Sequence, residues 1–574
     1  MKNVYINAEK PTVNMANAHP EKYDIAIIGS GIAGSALGAI LARHGLRVVI
    51  CEAGVHPRFA IGESMILETS ETLRALAELF DVPEMAYFSS ENYFNYIGVS
   101  HGVKRHFSFL HHTPGQPHDP KRSLQAIIPK QPHGHELHLF RQDTDAFLAA
   151  TAVKYGADLR QNTKVQDIAI DADGVDVITG TGERFRADYV VDAGGFRSIL
   201  AERFDLRERD LLTHSRGIFT HMVDVPSFHD TAATGKAYDL PFPVEQGTLH
   251  HIFEGGWLWV IPFDNHARSA NPLCSVGLLL DPRVHPQRDD LSAEEEFFDF
   301  IGRYPSIQAQ LGAGRSVRPW TRAGRIQYSS KQVVGERFAL LGHAVGFIDP
   351  LYSKGLYASM MSTLVLAHLL LEAHAAGDYA AERFRPLEKK TLAFVRTNDR
   401  LIANSYRSFR HYKLWQVYSA LWLTGAYLEL LKLNSVRAMA QTRADYVAGV
   451  ACLTLAGGGF DEYFALADRI DAIMEATDPQ DEAQVDQAVA EMRGIFHSYP
   501  WVPKAFLATM DGKTHLPKNK LSLSLLKRDA GFMGTGAYRA HFFGDHSAAE
   551  LVRVFVGEKL RYSVPALNWR RARG

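Results

Sequence analysis

Apolar and polar positions divide the chain into stretches of two different periods. Near the start, "YDIAIIGSGIAGSALGAILARHGLRVVICEAG" opens with an apolar run at residues 24–28 that reads as a buried strand. Helical spacing follows over residues 32–44, and "RVVICE" reads as a second, parallel strand ending at Glu52. Alternation of period two appears in "FSFLHH", in "ELHLFRQ" and in "GGWLWVIP", residues 255–262. In the last of these Trp257 and Trp259 share one face, and Pro262 ends the pairing. Beyond residue 370 the apolar spacing becomes three and four, so helices dominate there. Within that part "ATDPQDEAQ", residues 476–484, reads as an acidic turn between helices, and "DGKTHLPKNK" as a surface loop.

These patterns predict an α/β fold. A Rossmann-type dinucleotide-binding domain would carry an inserted antiparallel or mixed substrate sheet, followed by a mainly helical C-terminal region. The expected boundaries are a flexible segment at 1–22, the α/β domain at 23–375, and helices over 376–574. The inserted sheet is expected from about residues 85–135 and 205–330.

Composition narrows the chemistry. Lys+Arg 62 against Asp+Glu 64 leaves a net charge of -2, so no bulk field favours nucleic acid or an anionic membrane. A small-molecule substrate is the default. The 3 cysteines, Cys51, Cys274 and Cys452, stand far apart with no Cys-x-x-Cys pair. That argues against a disulfide framework or a thiolate zinc site, and fits a reducing cytoplasm. The polar N-terminal stretch lacks the apolar core of a secretory signal. Apolar runs such as "SALWLTGAYLELL" are shorter than the ~20 residues of a membrane span, so none is expected.

Between the first strand and helix, Gly29-Ser30-Gly31-Ile32-Ala33-Gly34 forms GxGxxG. Gly29 permits the tight turn, Gly31 lets backbone approach a pyrophosphate, and Gly34 allows close helix-to-strand packing. The helix N-terminus faces the phosphates. Glu52, ending the second strand, is placed to accept hydrogen bonds from a ribose diol. Which dinucleotide is bound is left open by this motif.

Later segments carry a resemblance. "FALLGHAVGFIDPLYSKGLYASMMSTLVLA", residues 338–367, resembles the C-terminal flavin motif of the aromatic-hydroxylase-type FAD enzymes. "DYVVDAGGFRS", residues 188–198, resembles their Asp-Gly motif, and "LFRQDTDAFLAATAVKYGA", residues 139–157, their Arg-x-x-x-Asp helix. The resemblance implies FAD, with Arg141, Asp192 and Gly342 near the cofactor and Asp349 holding the ribityl chain. Gly355 and Leu356 would present free N–H groups and a positive dipole end to the reduced flavin.

Trp257, Trp259, Ile261 and Pro262 match the Trp-x-Trp-x-Ile-Pro signature of the flavin-dependent halogenases, and "RFAIGES", from Arg58, resembles their Gly-Glu-Ser segment. The likeness implies reduced FAD supplied by a separate flavin reductase, with NAD(P)H used indirectly. It also implies O2, chloride or bromide, and an aromatic or carrier-bound substrate in secondary metabolism. The two indoles would keep substrate away from the flavin; the plainer reading makes them core aromatics.

The chain departs from that family at three places. The window where halogenases carry an essential lysine after Gly-Glu-Ser reads "SENY", Ser90 to Tyr93, and no lysine occurs from Tyr23 through Val103. Lys104 is the nearest replacement, with a solvated surface lysine as the alternative. Where tryptophan halogenases carry a glutamate before Ser-Thr-Gly, this chain has Tyr352, Ser353, Lys354 and Gly355. Free tryptophan is therefore not the expected substrate, and Lys354 would either hold an anion beside Ser353 or point away. His343 replaces the aspartate of Gly-Asp-Ala.

A histidine-rich tract, His101, His106, His111, His112, His118, His133, His135 and His138, reads as pocket lining or sheet surface, without a metal-ligand spacing. The C-terminal aromatics Tyr406, Phe409, Tyr412, Trp415, Tyr418 and Trp422 read as packing against the catalytic domain or as cover for the substrate entrance. The sequence leaves two enzymatic readings: a halogenase, or a flavin monooxygenase or oxidase/dehydrogenase on the same scaffold.

Overall fold

The computed structural model describes residues 22–516 except 131–133 and 232–237, together with 536–544, 546 and 550. The expected flexible segment, save Lys22, lies outside these, as do His133 and the last residues of "DGKTHLPKNK".

The glycine motif sits at the end of a mixed sheet. Its strands run in the order Val334–Gly335, Phe338–Leu340, Arg184–Asp192, Lys22–Ile28, Val48–Cys51 and Asp158–Arg160. The last five are mutually parallel where they pair. Buried Ile, Val and Ala fill both faces of the central strands, as a parallel sheet covered on each side requires. Ile28 lies level with both Cys51 and Asp192, so three carboxyl ends meet beside Gly29. Ligands of open α/β sheets bind at such a junction.

A second sheet follows the order Arg315–Ser316, Arg216–Val223, Cys274–Leu280, Gly256–Pro262, Thr248–Phe253, His106–His111 and Ser123–Ile127. All its neighbours are antiparallel except the Thr248 and His106 strands. Its two faces have different partners. Leu249, Phe253, Leu258, Val260, Val276 and Leu278 pack with Phe297, Phe300 and Ile307 of helices Ala293–Ile301 and Pro305–Leu311. Phe107, Phe109, Ile252, Trp257, Trp259 and Ile261 join the large core shared with the cofactor sheet and the C-terminal helices.

Two expectations are corrected here. Only Glu136–His138 of "ELHLFRQ" is strand, and it pairs with Gly102–Lys104 in a separate ribbon rather than in the large sheet. Helix Arg141–Lys154 begins just downstream and ends the extended stretch. Helix Gly355–Ala376 is long and apolar enough to cross a membrane by length and composition, longer than the runs noted above. It packs against Ile32–Arg43, Leu67–Leu79 and Ala381–Ser408, so its apolar surface is spent inside the fold. Helices Ala381–Ser408, Tyr412–Met439, Asp461–Ala476 and Glu482–Ser498 follow.

Candidate active site

The glycine cradle is shaped by contact. Gly29 has φ +93, and a Cβ there would stand 2.8 Å from the Ala193 carbonyl; a Cβ on Gly34 would stand 2.1 Å from the Gly29 carbonyl. Gly31 by contrast meets only Arg58 Nη2 at 3.6 Å, which leaves its outer side open. Ile32 and Ala33 begin the helix, and Ala33 Cβ lies 3.6 Å from where Gly342 would carry its own. Glu52, expected to meet a ribose, also organises this loop. Its Oε2 accepts from Ser30 N at 2.9 Å, Ser30 Oγ at 2.9 Å and Arg58 Nη2 at 3.3 Å, and its Oε1 accepts from Gly54 N at 2.8 Å. Burial alone would raise its pKa, but these donors hold it below the ordinary range.

Three residues expected at the cofactor are turned toward protein. Arg141 donates to the carbonyls of Ile61 and Gly62 at 2.8 and 3.0 Å and pairs with Asp145, so it pins the loop before Glu63. Asp192 accepts from Gly194 N, Ser198 Oγ and Leu200 N, and shapes the loop behind the sheet. Asp349, expected to hold the ribityl chain, is bonded within the protein. Each of its oxygens already has two donors: Trp257 Nε1 at 3.2 Å and Leu351 N at 3.0 Å, then Ser215 Oγ at 3.1 Å and Tyr406 OH at 2.9 Å. Burial raises its pKa to about 7 against these four bonds.

The cleft nonetheless fits a flavin dinucleotide. Arg58 Nε and His343 Nε2 are buried without partners, and helix Gly355–Ala376 starts at Lys354 with no side-chain cap. Its free N–H groups and positive end suit an anionic or electron-rich ligand. Leu356 is buried in its first turn. His343, in the place of the family aspartate, has its Nε2 3.1 Å from where Gly355 would carry a Cβ. Burial and the Arg141 charge keep that imidazole neutral, with a pKa about 4.

The missing lysine window forms helix Ser90–Tyr96, and the ribbon after it carries Lys104 inward. Lys104 is fully buried, directly across from Glu136. Its Nζ donates to Ser64 Oγ at 2.8 Å and to Ser353 Oγ at 3.3 Å, and stands 3.5 Å from the Phe107 ring centroid. Burial pulls its pKa well below the lysine range, with Glu136 and Glu68 opposing. Ser353 holds φ +55, in the sparsely populated left-handed region, and its Oγ donates to Ser64 Oγ at 3.1 Å. Such a backbone persists only where its surroundings enforce it.

Lys354 points away, but into the fold rather than along the helix surface. It is buried, and its Nζ donates to the Leu455 carbonyl at 2.7 Å, away from the serine pair. Burial lowers its pKa to about 8, with Glu68 and Glu429 opposing. Trp257 and Trp259 do share a face, with ring centroids 5.8 Å apart. Trp257 ties the strand to the Asp-Pro turn through Asp349, while Trp259 donates to Ser275 Oγ at 3.1 Å and lies across Gly277, where a Cβ would meet its ring at 2.0 Å.

Beside Lys104, Phe107 and Phe109 meet Trp422 at 5.1 and 5.5 Å, Phe109 meets Trp415 at 5.1 Å, and Tyr352 stacks on Trp422 at 4.6 Å. This wall joins the sheet to the C-terminal helices. Sequence reasoning passed over Phe107, Phe109, Ser64 and Thr248 as site residues, although Thr248 alternates with His250 and Ile252 on the face of the tryptophans. The histidine tract disperses. His111 meets the Phe409 carbonyl, and His112 and His251 pair on the far face. His101 lies between Tyr93 and Phe94, and among the described histidines of the tract only His138 bonds to the lysine cluster. Among the described residues no three potential metal ligands converge.

Residues 22–384 match the FAD binding domain family. The chain is 44% identical over 436 residues to the monodechloroaminopyrrolnitrin halogenase PrnC of Pseudomonas fluorescens, covering 75% of each chain. It is 45% identical over 407 residues to the tetracycline 7-halogenase of Kitasatospora aureofaciens, covering 70% of this chain and 73% of that one. The fold superposes on halogenase PltM, solved with phloroglucinol and FAD, with a TM-score of 0.81 and 34% identity over 86% of this chain and 99% of that one. Because these likenesses reach well beyond the cofactor domain into the inserted sheet and its helices, the chain belongs to the FAD-dependent halogenases.

Proposed function

We propose that this enzyme halogenates a free, electron-rich aromatic small molecule, and that Lys104 delivers the electrophilic halogen. Reduced FAD with O2, once bound, supplies the oxidising power that turns chloride or bromide into an electrophile. The observation that carries the reading is the buried Lys104 ammonium between Ser64 and Ser353, against the Phe107 ring. An ammonium so placed donates to an incoming hypohalous oxygen and leaves the halogen end free. Phe107, Phe109, Trp415 and Trp422 exclude water around it, which favours transfer to an arene over loss to hydrolysis. Ring faces already packed there suit an aromatic guest.

The two relatives at 44% and 45% identity are named for free small molecules, whereas a chlorinase of a carrier-bound pyrrole from Pseudomonas fluorescens shares 25%. That difference favours a free substrate. The halogenase resemblance supports a separate reductase, fed by NAD(P)H, as the source of reduced FAD.

The test is to reduce the FAD-loaded protein without oxygen, then admit O2 with and without chloride or bromide beside monochlorodimedone. Halide-dependent chlorination or bromination of the reporter is expected. Flavin reoxidation that is indifferent to halide, with no reporter halogenated, would overturn the reading and point to hydroxylation.

A further inference from the structure

A chain of hydrogen bonds runs from Lys104 to the carbonyl of Pro262, the last residue of Trp-x-Trp-x-Ile-Pro. Lys104 Nζ lies 2.8 Å from Ser64 Oγ, Ser64 Oγ 2.8 Å from Thr248 Oγ1, Thr248 Oγ1 3.0 Å from His138 Nε2, and His138 Nδ1 2.9 Å from the Pro262 carbonyl. Its four side chains are buried: Lys104 and His138 are 0% exposed, Thr248 1% and Ser64 9%. Five separate stretches of sequence supply it.

We propose that His138 and Thr248 are positioning residues which, anchored on the Pro262 carbonyl, orient the Ser64 hydroxyl so that its oxygen faces the Lys104 ammonium. This rests on the role given to Lys104 above and deepens it.

The direction of each bond follows from one end. A carbonyl only accepts, so His138 Nδ1 carries a proton. Burial, opposed by that bond, keeps the ring neutral, with a pKa about 3. Nε2 is then a bare acceptor, and Thr248 must donate to it. The Thr248 oxygen in turn receives the Ser64 proton. With its single proton committed, Ser64 can only accept from Lys104 and from Ser353, whose Oγ donates at 3.1 Å. Ser353 likewise accepts from Lys104 at 3.3 Å. Two of the three ammonium N–H bonds are thus fixed and one is left to donate into the site. The chain ends on a carbonyl, so it orients the lysine and carries no proton away.

Thr248→Val keeps the side-chain shape and removes the link. In the FAD-loaded enzyme supplied with reductant, O2 and halide, turnover of an activated arene such as phloroglucinol should fall about tenfold or more. The arene KM and the FAD affinity should stay within about twofold of the parent. Thr248→Ser, which keeps the hydroxyl, should restore turnover. His138→Phe should lower turnover as Thr248→Val does, and the double variant should be no worse than the weaker single, because both cut one chain.

Unchanged turnover in Thr248→Val, failure of Thr248→Ser to rescue, or losses that multiply in the double variant would each overturn the inference. Should His138→Phe fail to fold, the Val and Ser variants at position 248 decide alone. Lys104→Ala is assayed beside them. If it still halogenates, the lysine reading itself falls; if it is inactive while Thr248→Val turns over like the parent, only the positioning role falls.

Discussion

Lys104 Nζ stands 3.3 Å from Ser353 Oγ although 249 residues of chain separate them. One comes from the two-stranded ribbon Gly102–Lys104 with Glu136–His138 and the other from the turn that starts the flavin helix. Neither motif holds the site alone, and the chemistry depends on the two regions keeping their register.

Lys104→Met removes the ammonium and keeps most of the stem. Halogenated product, followed by mass spectrometry, should fall by about 10² to 10³, the scale of losing one preorganised charged donor. Because burial disfavours the charged form, the variant should melt no lower than the parent.

Gly34→Ala places a methyl 2.1 Å from the Gly29 carbonyl. Helix Ile32–Arg43 must then move off the first strand and the phosphate loop must open. FAD retained after gel filtration should drop sharply, and apoprotein stability should fall by about 1–3 kcal/mol.

Gly277→Ala drives a methyl into the Trp259 ring, 2.0 Å away. A loss of about 1–3 kcal/mol in urea unfolding is expected, with altered indole emission. Trp259→Phe placed on that background should recover part of the loss, since the smaller ring vacates the space.

Asp349 links acidity to stability. Its folded pKa, about 7, lies above the unfolded value near 3.9, so folded protein binds the extra proton between them. The stabilisation is complete below the unfolded pKa and is lost as pH rises through 7. Asp349→Asn removes this titration, so the wild-type-minus-variant difference in unfolding free energy should fall by about 1.4 kcal/mol per pH unit as pH rises across 4–7. A difference that does not change with pH would refute it.

The cofactor fold was legible because local rules suffice for it. GxGxxG between an apolar run and a helix, and an acid after the second strand, involve contacts among neighbours in sequence. The bonds of Asp349 were not legible because its four donors come from Ser215, Trp257, Leu351 and Tyr406, three of them remote in the chain. Nor was the burial of Lys354 legible: its acceptor, Leu455, lies 101 residues away. Lys104 was found by elimination, but its partners Ser64 and Ser353 emerge only once the ribbon folds back. The histidines were too many for the sequence to rank, and the contact of its Nε2 with Thr248 separates His138 from the rest.

The inserted sheet makes position along a strand behave like parity. Odd residues of Gly256–Pro262 carry the indoles toward the shared core, and even ones, Leu258 and Val260, point to the helices behind. Both edges of that strand are paired residue for residue, Trp259 with His250 on one side and with Gly277 on the other. Inserting or deleting one residue would therefore exchange the two surfaces wholesale, sending both tryptophans to the rear and leucine and valine to the front. Through evolution such a strand can trade side chains freely on its rear surface, yet its length is as fixed as any reactive group.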